Sequence, residues 1–111
     1  MKNAFTWTDG LWVCLRYNGI IYYSKDVKNK FFGENTESIT YNVNKQNNTL
    51  NIKKIKNKDE NNYKLTYINL GARSFIKKEL NDNGYNLPSQ SIRLIPSIKE
   101  NKLIIDISPL K

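Results

Sequence analysis

Residues 12 to 23 read Trp12-Val-Cys-Leu-Arg-Tyr-Asn-Gly-Ile-Ile-Tyr-Tyr23, and this stretch carries the clearest local signal in the chain. Runs of β-branched and aromatic residues flank the pair Asn18-Gly19. An Asn-Gly pair supplies the two positive φ angles of a type I′ turn, whose twist matches that of two antiparallel strands. The stretch therefore predicts a β-hairpin with a two-residue turn.

A short helix is predicted directly after this hairpin. Ser24 stands where a helix N-cap belongs, and Val27 and Phe31 lie four residues apart, on one helical face. Gly33 can end the helix in the left-handed conformation. The helix is only about two turns long, so we expect packing rather than intrinsic propensity to hold it.

The next segment predicts a second hairpin. Ile39, Tyr41 and Val43 alternate with polar residues over 38–43, and Leu50 and Ile52 alternate over 49–52 after a polar turn. The polar stretch 53–62 is then predicted to be a linker.

A similar order follows the linker, so the sequence predicts an internal repeat. It reads as one strand over 63–69, a helix from Arg73 to Leu80, a strand over 91–95, and a final strand over 103–107. We expect one α+β domain, residues 1–111, made of two interlocked βαββ units, 11–56 and 63–108. A pseudo-two-fold axis would relate the units, with mostly antiparallel strands and two short helices.

The composition favours a polyanionic partner. The chain of 111 residues has 18 Lys and Arg against 10 Asp and Glu, a formal charge of +8. Such a field attracts nucleic acid first, acidic protein surfaces second and anionic membranes third. The first ten residues lack the apolar core of a signal peptide, and no apolar run approaches the ~20 residues that span a bilayer. We therefore expect a cytoplasmic protein without a membrane partner.

The residues that most enzymes need are scarce. The chain has no histidine and one cysteine, Cys14, so the sequence offers no evident zinc site or nucleophile–base pair. Its five glycines are scattered and form no phosphate-binding loop. We predict a non-enzymatic protein without a cofactor or metal, and we interpret Cys14 as a small buried side chain.

Basic residues near the predicted turn and helices are the candidate nucleic-acid contacts. The spacing places them in two matching groups, one on each unit, where they would bind duplex phosphates. The alternative is that these residues only form the solvent-exposed faces of the helices and bind no ligand. They are Arg16, Lys25, Lys28 and Lys30 in the first unit, and Arg73, Lys77 and Lys78 in the second. A set of aromatic side chains is also able to stack on single-stranded bases, although alternation with aliphatic residues favours packing for them: Trp7, Trp12, Tyr17, Tyr22, Tyr23 and Tyr41.

The stretch from Leu15 to Gly33, followed by 38–52, resembles the AbrB-like swapped-hairpin family of bacterial transition-state regulators. Gly19 matches the turn glycine of that family, Ser24 takes the place of its helix-starting proline, and Lys28 matches its first helical basic residue. Ile20 and Asn29 stand where the family often has basic residues. The tandem copies are similar to the MraZ arrangement, in which paired motifs form a pseudo-dimer.

This resemblance implies a DNA-binding transcriptional regulator that contacts duplex DNA, as a monomer with an internal pseudo-dimer or as a homodimer. The alternative is a small interaction protein of a phage or mobile element, for example an anti-defence inhibitor, that binds a protein or nucleoprotein. Binding of single-stranded DNA or RNA is a third possibility.

Overall fold

The structure is a computed structural model that describes residues 10–55, 63–68 and 71–111. Trp7 and residues 56–62 of the predicted linker lie outside these ranges. The first half contains β1 (Val13–Leu15), β2 (Ile20–Tyr23), α1 (Lys25–Val27), which continues as a π-helical turn over Lys28–Phe32, β3 (Ser38–Asn44) and β4 (Thr49–Ile55). The second half contains β5 (Tyr63–Lys64), β6 (Thr66–Ile68), β7 (Gly71–Phe75), α2 (Lys77–Asp82), β8 (Ile92–Leu94), β9 (Ser97–Lys99), β10 (Lys102–Asp106) and a 3₁₀ turn over Ser108–Leu110.

The described strands form two five-stranded antiparallel sheets, so the α+β class with short helices is confirmed. Sheet A has the order β6-β7-β2-β1-β8, and sheet B has the order β5-β3-β4-β10-β9. Each half contributes strands to both sheets. The centre of sheet A is the pairing of β2 with β7, and the centre of sheet B is the pairing of β4 with β10.

The first hairpin is present, but its turn differs from the predicted type. The N–H of Gly19 donates to the carbonyl of Arg16 (3.0 Å), and the N–H of Arg16 donates to the carbonyl of Ile20 (2.9 Å). Gly19 has φ +87°, whereas Asn18 is not among the residues with positive φ. The connection is therefore a type I turn followed by a left-handed glycine, the common three-residue hairpin loop, and not a type I′ turn.

The short helix lies where the sequence predicts it. Ser24 caps it, its Oγ accepting from the N–H of Val27 (3.2 Å), and Gly33 ends it with φ +72°. The last turn is π-helical, since the N–H of Gly33 donates to the carbonyl of Lys28 (2.7 Å). The adjacent Phe31 and Phe32 are both buried, and their rings meet edge to face.

The secondary structure of the second half differs most from the one predicted from the sequence. Arg73 does not begin a helix: residues 71–75 form β7, and α2 starts at Lys77. The reason is that Ala72 and Ser74 alternate with outward residues and are buried on one face of sheet A. This unit also opens with a hairpin, β6–β7, in place of the single strand predicted over 63–69. That stretch is divided at the buried Leu65, where the chain passes from sheet B to sheet A.

Pro96 follows the predicted strand over 91–95 and separates β8 from β9, a strand that the sequence does not predict. Residues 92–94 form β8 and pair with β1 in sheet A, whereas β9, after Pro96, is the hairpin partner of β10 in sheet B. Because proline lacks an N–H donor, it suits a point where the chain leaves one sheet for another.

The core lies between the inner faces of the sheets and under the helices. Val13, Leu15, Ile21 and Tyr23 of sheet A are buried with a larger set from sheet B and the helices: Val27, Phe31, Phe32, Ile39, Tyr41, Leu50, Ile52, Ile76, Leu80, Leu103 and Ile105. Burial at ~25 cal/mol per Å² of apolar surface makes this cluster the main source of stability.

Two glycines lie where the halves approach most closely. A Cβ on Gly71, at the start of β7, would overlap the carbonyl oxygen of Tyr23, just before α1. A Cβ on Gly19 would lie 2.6 Å from the Cβ of Lys77, at the start of α2. The carbonyl of Gly19 also accepts from the N–H of Ile76 (2.9 Å). The turn of each opening hairpin thus contacts the beginning of the helix in the opposite half.

Candidate nucleic-acid interface

One cross-strand row of side chains runs over the outer face of sheet A. Arg73 is the direct partner of Tyr22, Tyr22 of Cys14, and Cys14 of Arg93. Directly opposed residues in antiparallel strands point to the same face, and the opposite face carries Val13, Leu15 and the other buried residues of the core. The row therefore faces away from the core.

Arg16 joins this row from the end of β1. Its guanidinium carbon lies 5.9 Å from the centre of the Tyr22 ring, within the range of a cation–π contact. The guanidinium carbon of Arg93 lies 4.9 Å from the centre of the Trp12 ring. The arginine face is defined here as Arg16, Tyr22, Arg73 and Arg93, together with Cys14, Ile20 and Phe75 on the same side of the sheet.

Every arginine of the chain lies on this face, although 15 lysines are distributed elsewhere along the sequence. Arg73 and Arg93 are three strand positions apart, about 14 Å at the usual spacing of ~4.8 Å. The outward positions of the five strands carry no carboxylate; they are Cys14, Ile20, Tyr22, Thr66, Ile68, Arg73, Phe75 and Arg93. The described strand positions of this face thus concentrate positive charge.

The side chain of Arg73 is held in place by the sheet. It is half-buried between Tyr22 on one side and Thr66 on the other. Its Nε–H is buried and has no hydrogen-bond acceptor among the residues that the structure describes. A buried donor without an acceptor costs free energy, so the position of this guanidinium is not explained by hydrogen bonding within the fold.

The lone cysteine lies in the middle of the face and is partly exposed, so it is not the fully buried side chain that we predict from the sequence. Burial raises the pKa of the Cys14 thiol above its ordinary value, while the charges of Arg16 and Arg93 act in the opposite direction. A thiol with a raised pKa is a weak nucleophile at neutral pH. Cys14 is therefore a slow-reacting reporter of what covers the arginine face.

The predicted basic residues divide into three groups. Arg16 and Arg73 lie together on the arginine face, and Lys77 begins α2 against the turn that follows Arg16. The second group belongs to the first helix: Lys25 and Lys30 are exposed, and the Nζ of Lys28 lies 5.6 Å from the centre of the Tyr67 ring.

Lys78 forms the third group. Its Nζ lies 2.9 Å from the Oδ2 of Asp82, one helical turn later, and this contact raises the pKa of the ammonium group. Among the seven predicted contacts, it is the one with a carboxylate partner within the described part of the chain. Its charge is partly neutralised.

Arg93 is a member of the face that the sequence does not single out. Its neighbours Ile92 and Leu94 alternate with it, and that alternation correctly places Arg93 on the outward side of a strand. The sequence does not show which strand pairs with β8. In the structure β8 pairs with β1, and Arg93 is opposite Cys14, 79 residues earlier in the chain. Only this long-range pairing brings Arg93 beside Cys14.

Buried hydroxyl groups join the two sheets beneath the arginine face. Ser74 Oγ is hydrogen-bonded to the hydroxyls of Tyr23 (2.8 Å) and Tyr41 (2.5 Å), and the Tyr41 hydroxyl donates to the carbonyl of Phe75 (3.1 Å). Burial raises the pKa of both phenols far above the ordinary value. Both phenols stay neutral at physiological pH, which fits a structural role.

An open cleft of about 640 Å³ lies away from this face, between the end of α1 and β4. Glu34, Glu37 and Lys54 are among its lining residues. Within residues 10–55, 63–68 and 71–111, no group of three histidine, cysteine or carboxylate side chains is placed to hold a metal ion. The cleft has the polar residues of a surface groove, without a convergent set of catalytic groups.

Comparisons with protein-family models, with curated proteins and with solved structures found no significant match to this chain. No helix in the described ranges is long and apolar enough to cross a membrane.

Proposed function

We propose that this chain is a non-enzymatic nucleic-acid-binding protein and that the arginine face is its contact surface. The observation that carries the proposal is the convergence of Arg16, Arg73 and Arg93 on one sheet face whose described strand positions hold no carboxylate. Arginine binds phosphates through a planar fork of N–H donors, and it stacks on aromatic rings and bases. Lysine would supply the same charge without this geometry.

The stacking of guanidinium groups on aromatic rings supports the proposal. Arg16 over Tyr22 and Arg93 over Trp12 are held in defined positions before any ligand arrives. The Tyr22 ring holds the exposed Arg16 guanidinium at the surface, where it can meet an anion. Preorganisation of this kind reduces the entropy lost on binding.

The fold proposed for this function is a pair of interlocked units, as in the swapped-hairpin family that the sequence resembles. Each half has the order hairpin, helix, hairpin, and the strand orders of both sheets are symmetric about a central pair, apart from β5 and β8. The contacts of Gly19 with Lys77, and of Gly71 with Tyr23, occupy corresponding places in the two halves. An internal pseudo-dimer built in this way would place basic side chains from both halves on one surface.

A salt series tests binding itself. The full-length chain would be titrated with labelled random duplex, single-stranded DNA and single-stranded RNA, from about 20 to 300 mM salt. We expect log affinity to fall linearly with log salt, by ~0.9 per neutralised phosphate for duplex and ~0.7 for single strands. No binding to any of these at the lowest salt would refute the proposal.

Charge-preserving substitutions test the role of arginine geometry. Arg16→Lys with Arg73→Lys leaves the net charge unchanged, so we expect a similar salt slope but weaker binding. Lys99→Ala, an exposed lysine on β9 of the other sheet, is the matched control and should bind as the native chain does. Equal losses for Lys99→Ala and Arg73→Ala would show that total charge, not this surface, governs binding.

Cys14 provides an independent footprint of the surface. Because it is the single cysteine of the chain, alkylation by iodoacetamide at about pH 8.5 reports on one position. We expect saturating nucleic acid to slow the alkylation severalfold. An unchanged rate together with tight binding would mean that the ligand sits elsewhere.

A protein partner is the second candidate, because the same face carries exposed apolar side chains. Phe75 is 60% exposed, and Ile95, just after β8, is 73% exposed. Aromatic and arginine residues are also enriched at protein interfaces. A stoichiometric partner whose capture resists nuclease and is lost in Phe75→Ala would favour this candidate over nucleic acid.

A further inference from the structure

We infer that the arginine face takes single-stranded rather than duplex nucleic acid, with unstacked bases packing on Tyr22 and Phe75. This inference rests on the proposed function and specifies its ligand. It depends on the width of the sheet and on the exposure of Phe75 beside the half-buried Tyr22, two features that the charge argument does not use.

The sheet is too wide to enter a DNA groove. Five strands at ~4.8 Å spacing form a surface about 19 Å across, whereas the major groove is ~12 Å wide and admits a helix or a two-stranded ribbon. The row of Arg73, Tyr22, Cys14 and Arg93 lies at the middles of four strands, so a duplex would meet this row through its phosphate backbone. In such a contact the bases stay stacked inside the duplex, so an exposed aromatic ring would have no base to stack on.

Aromatic side chains on the face are placed to use the bases of a single strand. Phe75 is 60% exposed and lies two residues from Arg73 on β7, on the same side of the sheet. Its direct partner is Ile20, two residues from Tyr22 on β2. Tyr22 and Phe75 are therefore diagonal neighbours, ~7–8 Å apart at the backbone.

Charge and aromatic groups alternate across this surface. Arg16 lies over Tyr22, Arg73 is opposite Tyr22, and Phe75 follows Arg73. A basic groove with interleaved rings is the general solution for single strands, since every base has a π face and every linkage has a phosphate. Tyr17, in the hairpin turn next to Arg16, is 58% exposed and extends the aromatic character at that end.

The face is accordingly assigned to an unpaired strand of DNA or RNA. The chemistry shared by the two sources is a π-stacked base between phosphates. Stacking on a base does not depend on the sugar, so the experiment includes both.

Fluorescence anisotropy on the full-length chain tests this assignment, with labelled 20-mers of oligo(dT), oligo(U) and a 20-base-pair duplex at about 50 mM salt. We expect at least one single strand to bind about tenfold or more tightly than the duplex. Phe75→Ala should weaken single-strand binding by roughly 5- to 150-fold, the range for loss of one base–aromatic stack. The same substitution should change duplex binding by less than about twofold.

Phe75→Leu separates stacking from plain apolar contact. Leucine keeps the apolar side chain and removes the π face, so we expect most of the loss seen with alanine. Ile98→Ala, a 37% exposed residue on sheet B, is the matched control and should bind normally. Phe75 is mostly exposed, so its variants should fold, and urea unfolding of each one checks this.

The outcomes separate this inference from the proposed function. Duplex binding as tight as single-strand binding, or full affinity in Phe75→Leu, overturns the single-strand assignment and leaves nucleic-acid binding intact. No binding to any of the three probes refutes both.

Discussion

Substitution of Gly71 by alanine should be the most damaging single-methyl change in this fold. The added Cβ would overlap the carbonyl oxygen of Tyr23 and lie 3.1 Å from the carbonyl carbon of Ser24. These are backbone atoms at the junction of β2 and α1, where Ser24 is fully buried and caps the helix. They cannot rotate away as a side chain can, so the two halves of the chain would have to separate.

The magnitude follows from a matched comparison with Gly84. Gly84 has φ +83° and nothing within 4 Å of its built Cβ, so Gly84→Ala should cost only the left-handed backbone strain, about 1–2 kcal/mol. Gly71→Ala adds overpacking of about 1–3 kcal/mol or more. We expect a total loss of about 2–5 kcal/mol, a large part of the 5–15 kcal/mol that stabilises a typical domain.

Urea unfolding monitored by tryptophan fluorescence measures both variants, with thermal unfolding as a second probe. At about 4 °C per kcal/mol for a chain of this size, Gly71→Ala should lower Tm by roughly 8–20 °C and Gly84→Ala by roughly 4–8 °C. If the two variants lose the same stability, the close approach of β7 to the start of α1 is not part of the fold, and the proposed interlocked arrangement is refuted as well.

Three further predictions concern the buried hydroxyls and the helix ion pair. Ser74→Ala should lower the free energy of unfolding by about 1–3 kcal/mol, because the hydroxyl of Tyr23 loses its partner; urea titration measures this, and an unchanged midpoint would contradict it. The stabilising contribution of the neutral Tyr23 and Tyr41 phenols should be fully present below about pH 10, the ordinary pKa of tyrosine, and lost as pH rises towards their raised folded-state pKa values. Urea midpoints at pH 8, 10 and 11 test this, and the decline should be shallower in Tyr41→Phe. Lys78→Ala should leave nucleic-acid binding nearly unchanged in the anisotropy assay, since Asp82 already partly neutralises that charge; a loss as large as in the arginine-face variants would contradict the assignment.

The local parts of the fold follow from the sequence, because their signals lie within a few residues. The β1–β2 hairpin, the capped helix that ends at Gly33 and the β3–β4 hairpin all form close to the predicted positions. The predicted type I′ turn is wrong because an Asn-Gly pair fits both the two-residue type I′ loop and the three-residue loop with a left-handed glycine. The i, i+3 bond from Gly19 to Arg16 selects the three-residue loop, in which only the glycine needs a positive φ.

The second half could not be predicted as well, because distant partners decide its structure. The stretch Ala72-Arg73-Ser74-Phe75 has a charged residue and few aliphatic ones, a composition that suits an exposed helix. It forms a central strand because Ser74 can be buried, and it is buried because the hydroxyls of Tyr23 and Tyr41 satisfy it. Those tyrosines lie 51 and 33 residues earlier, outside any local window.

The same non-local pairing creates the arginine face, and this links binding to folding. Arg16 and Tyr22 come from the first half, whereas Arg73 and Arg93 come from the second, and they meet only when β2 pairs with β7 and β1 with β8. Neither half carries the complete surface, so the basic residues on the unpaired segments would act as separate charges. A ligand that contacts all four side chains binds the paired state alone, and by mass action it stabilises that pairing in proportion to its affinity and concentration. The differences between the two halves are then compatible with the proposed function, because Arg73 and Arg93 complete the row that Arg16 and Tyr22 begin.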